Sequence, residues 1–182
     1  MLNIEDLTKR AVTGNYFPHG DVTKADCAIG FSFGYREEVD GEIQPGISNK
    51  DLASFAGDLE PGIPLILQFE IADALENPKG KIYRIERHRQ EREYLDTVEV
   101  ATQAFIIMQE HQWRSPLVFA HPGHIPRVDA VCQKLGMFTI VPSGLNVVRF
   151  DSLSKQGWTR NPRAWGEHEI GAISRSRQKG QI

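Results

Sequence analysis

Residues 115–136 read SPLVFAHPGHIPRVDAVCQKLG, and the pattern of apolar residues changes once within this stretch. The run SPLVFA has the length and apolarity of a buried strand, whereas the run that follows Pro126 has helical spacing. Proline is favoured in the first turn of a helix and glycine just past its end, so a helix is predicted between Pro126 and Gly136. A strand that leads directly into a helix is the repeating unit of a parallel α/β sheet.

The rest of the chain continues this alternation. Further strands are predicted at ADCAIGFSFGY, GIPLILQFE, KIYRIER and MFTIVP, with NVVRF as a candidate for another short one. Helices are predicted at LNIEDLTKRAV, from Asn49 behind a Ser48–Asp51 capping box, at IADALEN, at residues 96–112, and in the tail 162–177. In that tail, Trp165, Ile170 and Ile173 are expected to pack, and EEVDGEIQPG is predicted as a polar loop. The pattern predicts one α/β domain over residues 1–182 with a mainly parallel sheet of about five strands.

Composition narrows the classes of function. The 182 residues are 40% hydrophobic and 25% charged, as in globular proteins. A net charge of −3 lacks the basic field that holds nucleic acid, so no nucleic-acid partner is expected. The opening MLNIEDLTKR is unlike a signal peptide, and no window approaches the roughly 18 apolar residues of a membrane span. A cytoplasmic protein without membrane contact is therefore expected, with Cys27 and Cys132 as buried small hydrophobic residues.

The charged segment 84–93 alternates arginines with glutamates. Its arginines are Arg84, Arg87, Arg89 and Arg92. Such alternation is typical of a solvated surface laced with ion pairs. If the protein were a non-catalytic interaction module, this segment would be its contact surface.

Polar residues or glycines follow each of four predicted strands. In chain order they are Gly30, Ser32, Gly34 and Arg36, then Gln68 and Glu70, then Asp96, Thr97 and Glu99, and then His121, His124 and Arg127. Ligands of open parallel sheets bind beyond the carboxyl ends of the strands. The four exits together therefore predict a small-molecule site, although turn formation and helix capping explain each exit separately.

The corner HPGHIPR makes the most specific prediction. His124 precedes the first turn of a helix, where free backbone N–H groups attract anions. Arg127 lies in that first turn, where a cation is disfavoured unless an anion sits between it and the amides. A phosphate or carboxylate site is predicted, with His124 as hydrogen-bond donor or general acid. A purely structural corner remains the alternative.

The sequence motifs support two other kinds of site, a metal site and a nucleophile elbow, less well. A metal site would use His121 and His124 with His168 or a carboxylate, but H-x-x-H across a Pro-Gly turn is not the helical pair of zinc hydrolases, and no metal is predicted. Residues 30–34 spell G-x-S-x-G around Ser32, but a loop rather than a helix is expected after it, so a nucleophile elbow is not predicted. A metal-independent hydrolase of phosphoesters or esters stays open, with His124 or His121 as acid–base and Glu70 or Glu99 as partner carboxylate.

Several short motifs, in this order and spacing, resemble the YdcF/SanA/ElyC-like family, which is defined as a domain of unknown function. The family's first strand is similar to Asp26-Cys-Ala-Ile-Gly30, and its H-x-x-R motif is similar to His124-Ile-Pro-Arg127. Its N-T-x-E-N-A motif resembles DTVEVA, which carries over Asp96, Thr97, Glu99 and Ala101. A C-terminal glutamate and glycine resemble Glu169-Ile-Gly171. The chain departs from the family at Val100, in place of the second asparagine, and at QFEIAD, in place of a glycine-rich stretch.

The resemblance covers about residues 25–180 and implies a Rossmann-like three-layer α/β sandwich with its site at the strand carboxyl ends. It implies a nucleotide-like ligand, such as S-adenosylmethionine, and adds Glu169 to the ligand-binding residues. Family members that act at the cell envelope carry an N-terminal membrane anchor. This chain shows no such segment, so an envelope role is not expected.

Overall fold

The structure is a computed structural model that describes residues 3–39, 42–91 and 93–182. Its main sheet has four parallel strands, β1 (Cys27–Gly30), β4 (Leu65–Gln68), β5 (Ile82–Ile85) and β6 (Pro116–Phe119). Their order in the sheet is β5-β4-β1-β6. The other two strands, β2 (Arg36–Val39) and β3 (Glu42–Gln44), pair with each other in an antiparallel hairpin.

Within the described part of the chain, six helices connect and cover these strands. They are α1 (Ile4–Thr13), α2 (Gly46–Gly57), α3 (Phe69–Ala74), α4 (Thr97–Glu110), α5 (Ile125–Lys134) and α6 (Pro162–Gln178). The chain steps from β1 to β4 to β5 in one direction and then returns past β1 to β6. Because parallel crossovers are right-handed, α2 and α3 lie on one face of the sheet and α4 on the other. Helix α1 packs on α5 and α6, and α5 packs on α4. The architecture is the predicted Rossmann-like α/β sandwich.

The sheet is the centre of the hydrophobic core. Strands β1, β4 and β6 are buried along their whole length. This agrees with their continuous apolar sequences, which are typical of strands covered on both faces. Gly30 lies at the end of β1 against the Phe119 ring, and a Cβ added there would come within 2.7 Å of that ring. Gly30 is predicted to approach a ligand, and the structure shows that it also has this packing role.

Three predictions about strands and loops are wrong. MFTIVP makes only isolated bridges, from Ile140 to Leu117 and from Val141 to His19, so the sheet has four strands rather than about five. The first two residues of NVVRF belong to a short 3-10 helix, Leu145–Val147, and the stretch contains no strand. The stretch predicted as a polar loop contains β2 and β3, while Asp40 and Gly41 lie outside the described residues.

The predicted helices are present, with one wrong start and one wrong packing residue. Helix α2 begins at Gly46 rather than Asn49, because Asp151 accepts the Ile47 N–H at 2.9 Å while the Ser48 hydroxyl donates to Arg149 O instead of capping. Ile170 is 49% exposed, whereas Trp165 and Ile173 are buried as predicted. Within the described residues, none of the helices combines the length and the apolarity that crossing a membrane requires.

Candidate functional site

The sheet order creates a crevice where the chain reverses direction. Successive connections leave β1 toward β4 on one side, and β6 lies on its other side, so β1 and β6 flank the topological switch point. A cavity of about 360 Å³ opens there. Its lining includes Ser32, Gly34, Gln68, Asp96, Thr97, His124 and Arg127, which are predicted ligand-binding residues from all four strand exits. We call it the switch-point cavity.

The loop after β1 is fixed by side-chain amides. Gln68 Oε1 accepts the Ser32 backbone N–H at 3.0 Å. The buried Asn49 side chain accepts the Phe33 N–H at 2.9 Å and donates to Gly34 O at 2.7 Å. Gly34 has a φ of +74°, and a Cβ there would collide with the Thr159 and Ser154 hydroxyls. This wall of the cavity is therefore rigid.

A chain of hydrogen bonds runs from α6 to His124. Arg127 Nε and Nη2 donate to the two carboxylate oxygens of Glu169 at 2.7 and 2.9 Å, and Glu169 is fully buried. Arg127 Nη1 donates to Thr97 Oγ1 at 2.6 Å, and that oxygen lies 3.0 Å from His124 Nε2. The three Arg127 bonds use three of its five N–H groups.

The surroundings of His124 determine the protonation of its ring. Burial, followed by the nearby positive charge of Arg127, lowers the pKa of His124 well below its ordinary value, so the ring is neutral. Thr97 Oγ1 already accepts from Arg127 and can donate its own proton to His124 Nε2. We infer that the ring proton is on Nδ1. His124 Nδ1 is buried and has no hydrogen-bond partner among the described residues, and His124 is one of the residues that line the cavity.

The backbone at the start of α5 is less available to anions than predicted. His121 O accepts the N–H groups of both His124 and Ile125, at 2.7 and 3.1 Å. Pro126 has no N–H, and the Gly123 N–H donates to His121 Nδ1. The prediction that free amides attract the anion is therefore wrong for these positions, and side chains are the available donors.

Glu70 is a buried carboxyl that lies two residues after Gln68, a residue of the cavity lining. It follows β4 in the first turn of α3 and is 6% exposed, and its Oε2 has no hydrogen-bond partner. Burial raises the pKa of Glu70 to about 7, and the Ser32 hydroxyl acts in the opposite direction. A carboxyl that exchanges its proton near neutral pH is suited to acid–base chemistry.

Three predicted site residues make their contacts elsewhere. Glu99, predicted to be catalytic, accepts from Arg89 Nε at 2.8 Å and from the Arg89 backbone N–H at 3.0 Å. The hydrogen bond from the Arg89 side chain is the main cause that lowers the pKa of Glu99 to about 2, so this carboxylate is a poor base. Arg36 donates to both oxygens of Asp151 at the β2–β3 hairpin, outside the cavity lining. His121 stacks on Phe33 at 4.0 Å between ring centres, and burial lowers its pKa to about 3.

Sequence reasoning missed several residues of the cavity. Trp158 and His168 line it and stack on each other at 4.6 Å between ring centres, and Arg175 and Lys179 also contribute to its lining. Tyr94 bridges across to the segment before α6, since its hydroxyl accepts from Gln156 Nε2 at 2.9 Å. Trp158, His168, Arg175 and Lys179 lie far from the strand exits in sequence, whereas Tyr94 lies two residues before Asp96. Only the H-x-x-H metal alternative pointed to His168, and for a different reason.

The described residues offer no group of side chains that would support the metal-site alternative. Among residues 3–39, 42–91 and 93–182, no group of three or more histidines, cysteines, aspartates or glutamates is placed to hold a metal ion. The His121 and His124 rings are engaged with Gly123 and Thr97 respectively.

In the charged segment 84–93, Arg84 pairs with Asp73 and Glu86, Arg89 pairs with Glu99, and Arg92 lies outside the described residues.

Comparisons of the chain with family models, curated proteins and solved structures gave no match.

Proposed function

We propose that the protein binds a small anionic or nucleotide-like ligand, of the class of a mononucleotide or S-adenosylmethionine, in the switch-point cavity. The observation that carries the proposal is the buried, unpartnered Nδ1 of His124, a residue of the cavity lining that is hydrogen-bonded to the Glu169–Arg127–Thr97 network. A buried donor without a partner costs about 1–3 kcal/mol, and an acceptor on a ligand would recover that cost.

The cavity suits both parts of such a ligand. Arg175 and Lys179, with the two remaining N–H groups of Arg127, supply positive charge for an anionic group. The stacked rings of Trp158 and His168 offer an aromatic surface against which a flat base can lie. The volume of about 360 Å³ lies within the range of small-molecule sites. The family resemblance of the sequence points to the same ligand class.

Calorimetric titration with three probes tests the proposal: inorganic phosphate, adenosine monophosphate and S-adenosylmethionine. Thr97→Val removes the hydroxyl that orients His124 while keeping the shape of the side chain. We expect at least one probe to bind the wild-type chain, and Thr97→Val to weaken it about tenfold, the equivalent of one hydrogen bond.

Thr102→Val is the matched control, because Thr102 lies on the same helix and donates to Val98 O outside the cavity lining. It is expected to bind like the wild type. The proposal fails if no probe binds the wild-type chain, or if both valine variants bind equally well.

A further inference from the structure

Few buried side-chain atoms of the described residues lack a hydrogen-bond partner. They are Arg10 Nε, His124 Nδ1 and Glu70 Oε2. Two of the three therefore belong to strand exits at the switch-point cavity. Unsatisfied buried groups are rare in folded proteins, and a reactive site is one of the explanations for them. The ligand-binding proposal uses His124 and leaves Glu70 unexplained.

The nearest reactive group to consider is the hydroxyl of Ser32. Ser32 lines the cavity, and its side chain is close enough to the buried Glu70 carboxyl to lower the pKa of that group. Its backbone is held by Gln68, and the next residue, Phe33, is held by Asn49. Ser32 thus lies at the cavity on a fixed backbone, close to a buried carboxyl.

We propose that Ser32 is a nucleophile and Glu70 its general base, which would make the switch-point cavity the active site of a phosphoester hydrolase. This inference rests on the proposed function, since it takes the bound anionic ligand to be a phosphoester. The arrangement is not a nucleophile elbow, because the β2–β3 hairpin follows Ser32 where an elbow requires a helix.

The reaction needs only water as a co-reactant. The Glu70 carboxylate accepts the Ser32 hydroxyl proton while Oγ forms a bond to phosphorus. The bond from phosphorus to the leaving oxygen breaks, and that oxygen, which departs on the side of phosphorus opposite Ser32, takes a proton from water. The hydroxide so formed attacks phosphorus from that side, and Ser32 Oγ departs and takes back the proton that Glu70 held. Phosphoester and water become phosphate and alcohol.

The charges around the two residues agree with these roles. The pKa of Glu70, raised by burial to about 7, leaves a substantial ionised fraction near neutral pH. The groups that act on its pKa are its own backbone N–H, the Ser32 side chain and Asp73 on its own helix, and the Glu70 charge in turn raises the pKa of Tyr94 in the segment before α4. Arg127, Arg175 and Lys179 line the same cavity and would neutralise charge on the phosphoryl oxygens.

A fluorophosphonate probe tests the nucleophile without knowledge of the natural substrate. Attack by Ser32 Oγ would form an oxygen–phosphorus bond and expel fluoride. The labelled full-length chain is then digested, and tandem mass spectrometry of its peptides would locate the adduct. We expect labelling at Ser32, with a rate that rises as the pH passes about 7. The pH series uses the unmodified chain, so it is independent of how any variant folds.

Two variants of α3 separate the base from its neighbour. Glu70→Gln is expected to slow labelling on the order of 10²-fold. Asp73→Asn, one turn along the same helix and half-exposed, is expected to change the rate little. Absence of a Ser32 adduct, an adduct only elsewhere, or equal rates in Glu70→Gln and the wild type would overturn the proposal.

Probe binding and Ser32 labelling are measured separately on the wild-type chain, and Ser32→Ala is expected to lose the adduct. If the wild-type chain binds a probe but Ser32 is never labelled, catalysis by Ser32 is excluded and the binding site stands. If no probe binds, the binding proposal fails by its own test.

Discussion

At the scale of single residues, the buried pair Arg127–Glu169 supports the candidate site. Its two short hydrogen bonds lie almost entirely out of water, with the Glu169 side chain fully buried and the Arg127 side chain 11% exposed. Removing one partner of a buried ion pair leaves the other charge uncompensated. The pair therefore orients Thr97 and His124, and loss of either partner would destabilise the fold strongly.

Glu169→Gln is accordingly expected to lower the free energy of unfolding by about 3–5 kcal/mol, measured by urea denaturation. The matched control is Glu167→Gln on the same helix, whose carboxylate is 70% exposed in its pair with Arg163. Exposed pairs contribute about 0–1 kcal/mol, so this control should stay close to the wild type. Equal losses in the two variants would contradict the role given to the buried pair.

Glu70 gives a second residue-scale prediction, for stability rather than catalysis. Its folded pKa of about 7 lies above the ordinary 4.5, so folding favours the protonated carboxyl. Its contribution to stability is present below pH 4.5 and is lost as the pH rises through about 7. Glu70→Gln avoids that loss and should unfold with about 3 kcal/mol more free energy than the wild type at about pH 8.5.

The same comparison at about pH 4.5 should show a much smaller difference, because both side chains are then neutral. Urea denaturation at the two pH values measures it. A glutamine variant that is less stable than the wild type at the higher pH would show that Glu70 is ionised without penalty.

At the scale of elements, helix α2 anchors the loop that forms one wall of the cavity. Asn49, buried in the first turns of α2, bonds to Phe33 and Gly34 and also donates to Pro45 O at 2.7 Å. Asn49→Ala would leave the buried Phe33 N–H and Gly34 C=O without these partners. A loss of about 2–4 kcal/mol is expected in urea denaturation, since each unsatisfied group costs about 1–3 kcal/mol.

Lys50→Ala is the control for that prediction, because Lys50 is the next residue of α2 and is exposed. It should change the free energy of unfolding by less than about 0.5 kcal/mol. Similar values for the two variants would mean that the Asn49 hydrogen bonds do not hold the loop.

The sequence predicted elements well where the signals are local. Asp96 caps α4 by accepting the Glu99 N–H, and Pro126 and Gly136 bracket α5, so each boundary can be read from neighbouring residues. The prediction of a fifth strand was wrong because of a contact with a residue far away in sequence. Val141 pairs with His19 and Pro142 has no N–H, so the segment leaves β6 after one bridge. The β2–β3 hairpin was missed although Asp40-Gly41 is a hairpin signal in the sequence.

At the scale of the whole molecule, strand order decides which predicted residues meet. The order β5-β4-β1-β6 brings the exits of β1 and β6 to either side of one crevice, and alternation of strands and helices predicts such a crevice. Residue types could place Thr97, His124 and Arg127 near it. They could not show that Glu99 turns to Arg89, or that His168 and Trp158 arrive from the far end of the chain, because those contacts depend on tertiary packing.

Buried histidines predict how the whole molecule responds to acid. Burial lowers the pKa of His121 to about 3 and that of His168 to about 4, and it lowers the pKa of His124 further below the ordinary 6.5. The unfolded chain binds protons on these rings below pH 6.5 while the folded chain does not, so stability falls as the pH drops. Glu70 acts in the opposite direction over part of this range.

Urea denaturation between about pH 7 and pH 4 is expected to show a decreasing free energy of unfolding, and His168→Gln should make the decrease less steep. His168 is the suitable variant because it is the least buried of the three histidines. Stability that stays constant or rises toward acid would contradict neutral, buried rings.

The protonation of His124 is the most direct test of the account, because the whole Glu169–Arg127–Thr97 chain serves to fix it. Nitrogen-15 chemical shifts of the His124 ring would be recorded before and after addition of adenosine monophosphate. We predict a neutral ring near neutral pH with its proton on Nδ1, and a change of the Nδ1 shift that saturates with the nucleotide. A proton on Nε2, or ring shifts that the nucleotide leaves unchanged, would contradict the account.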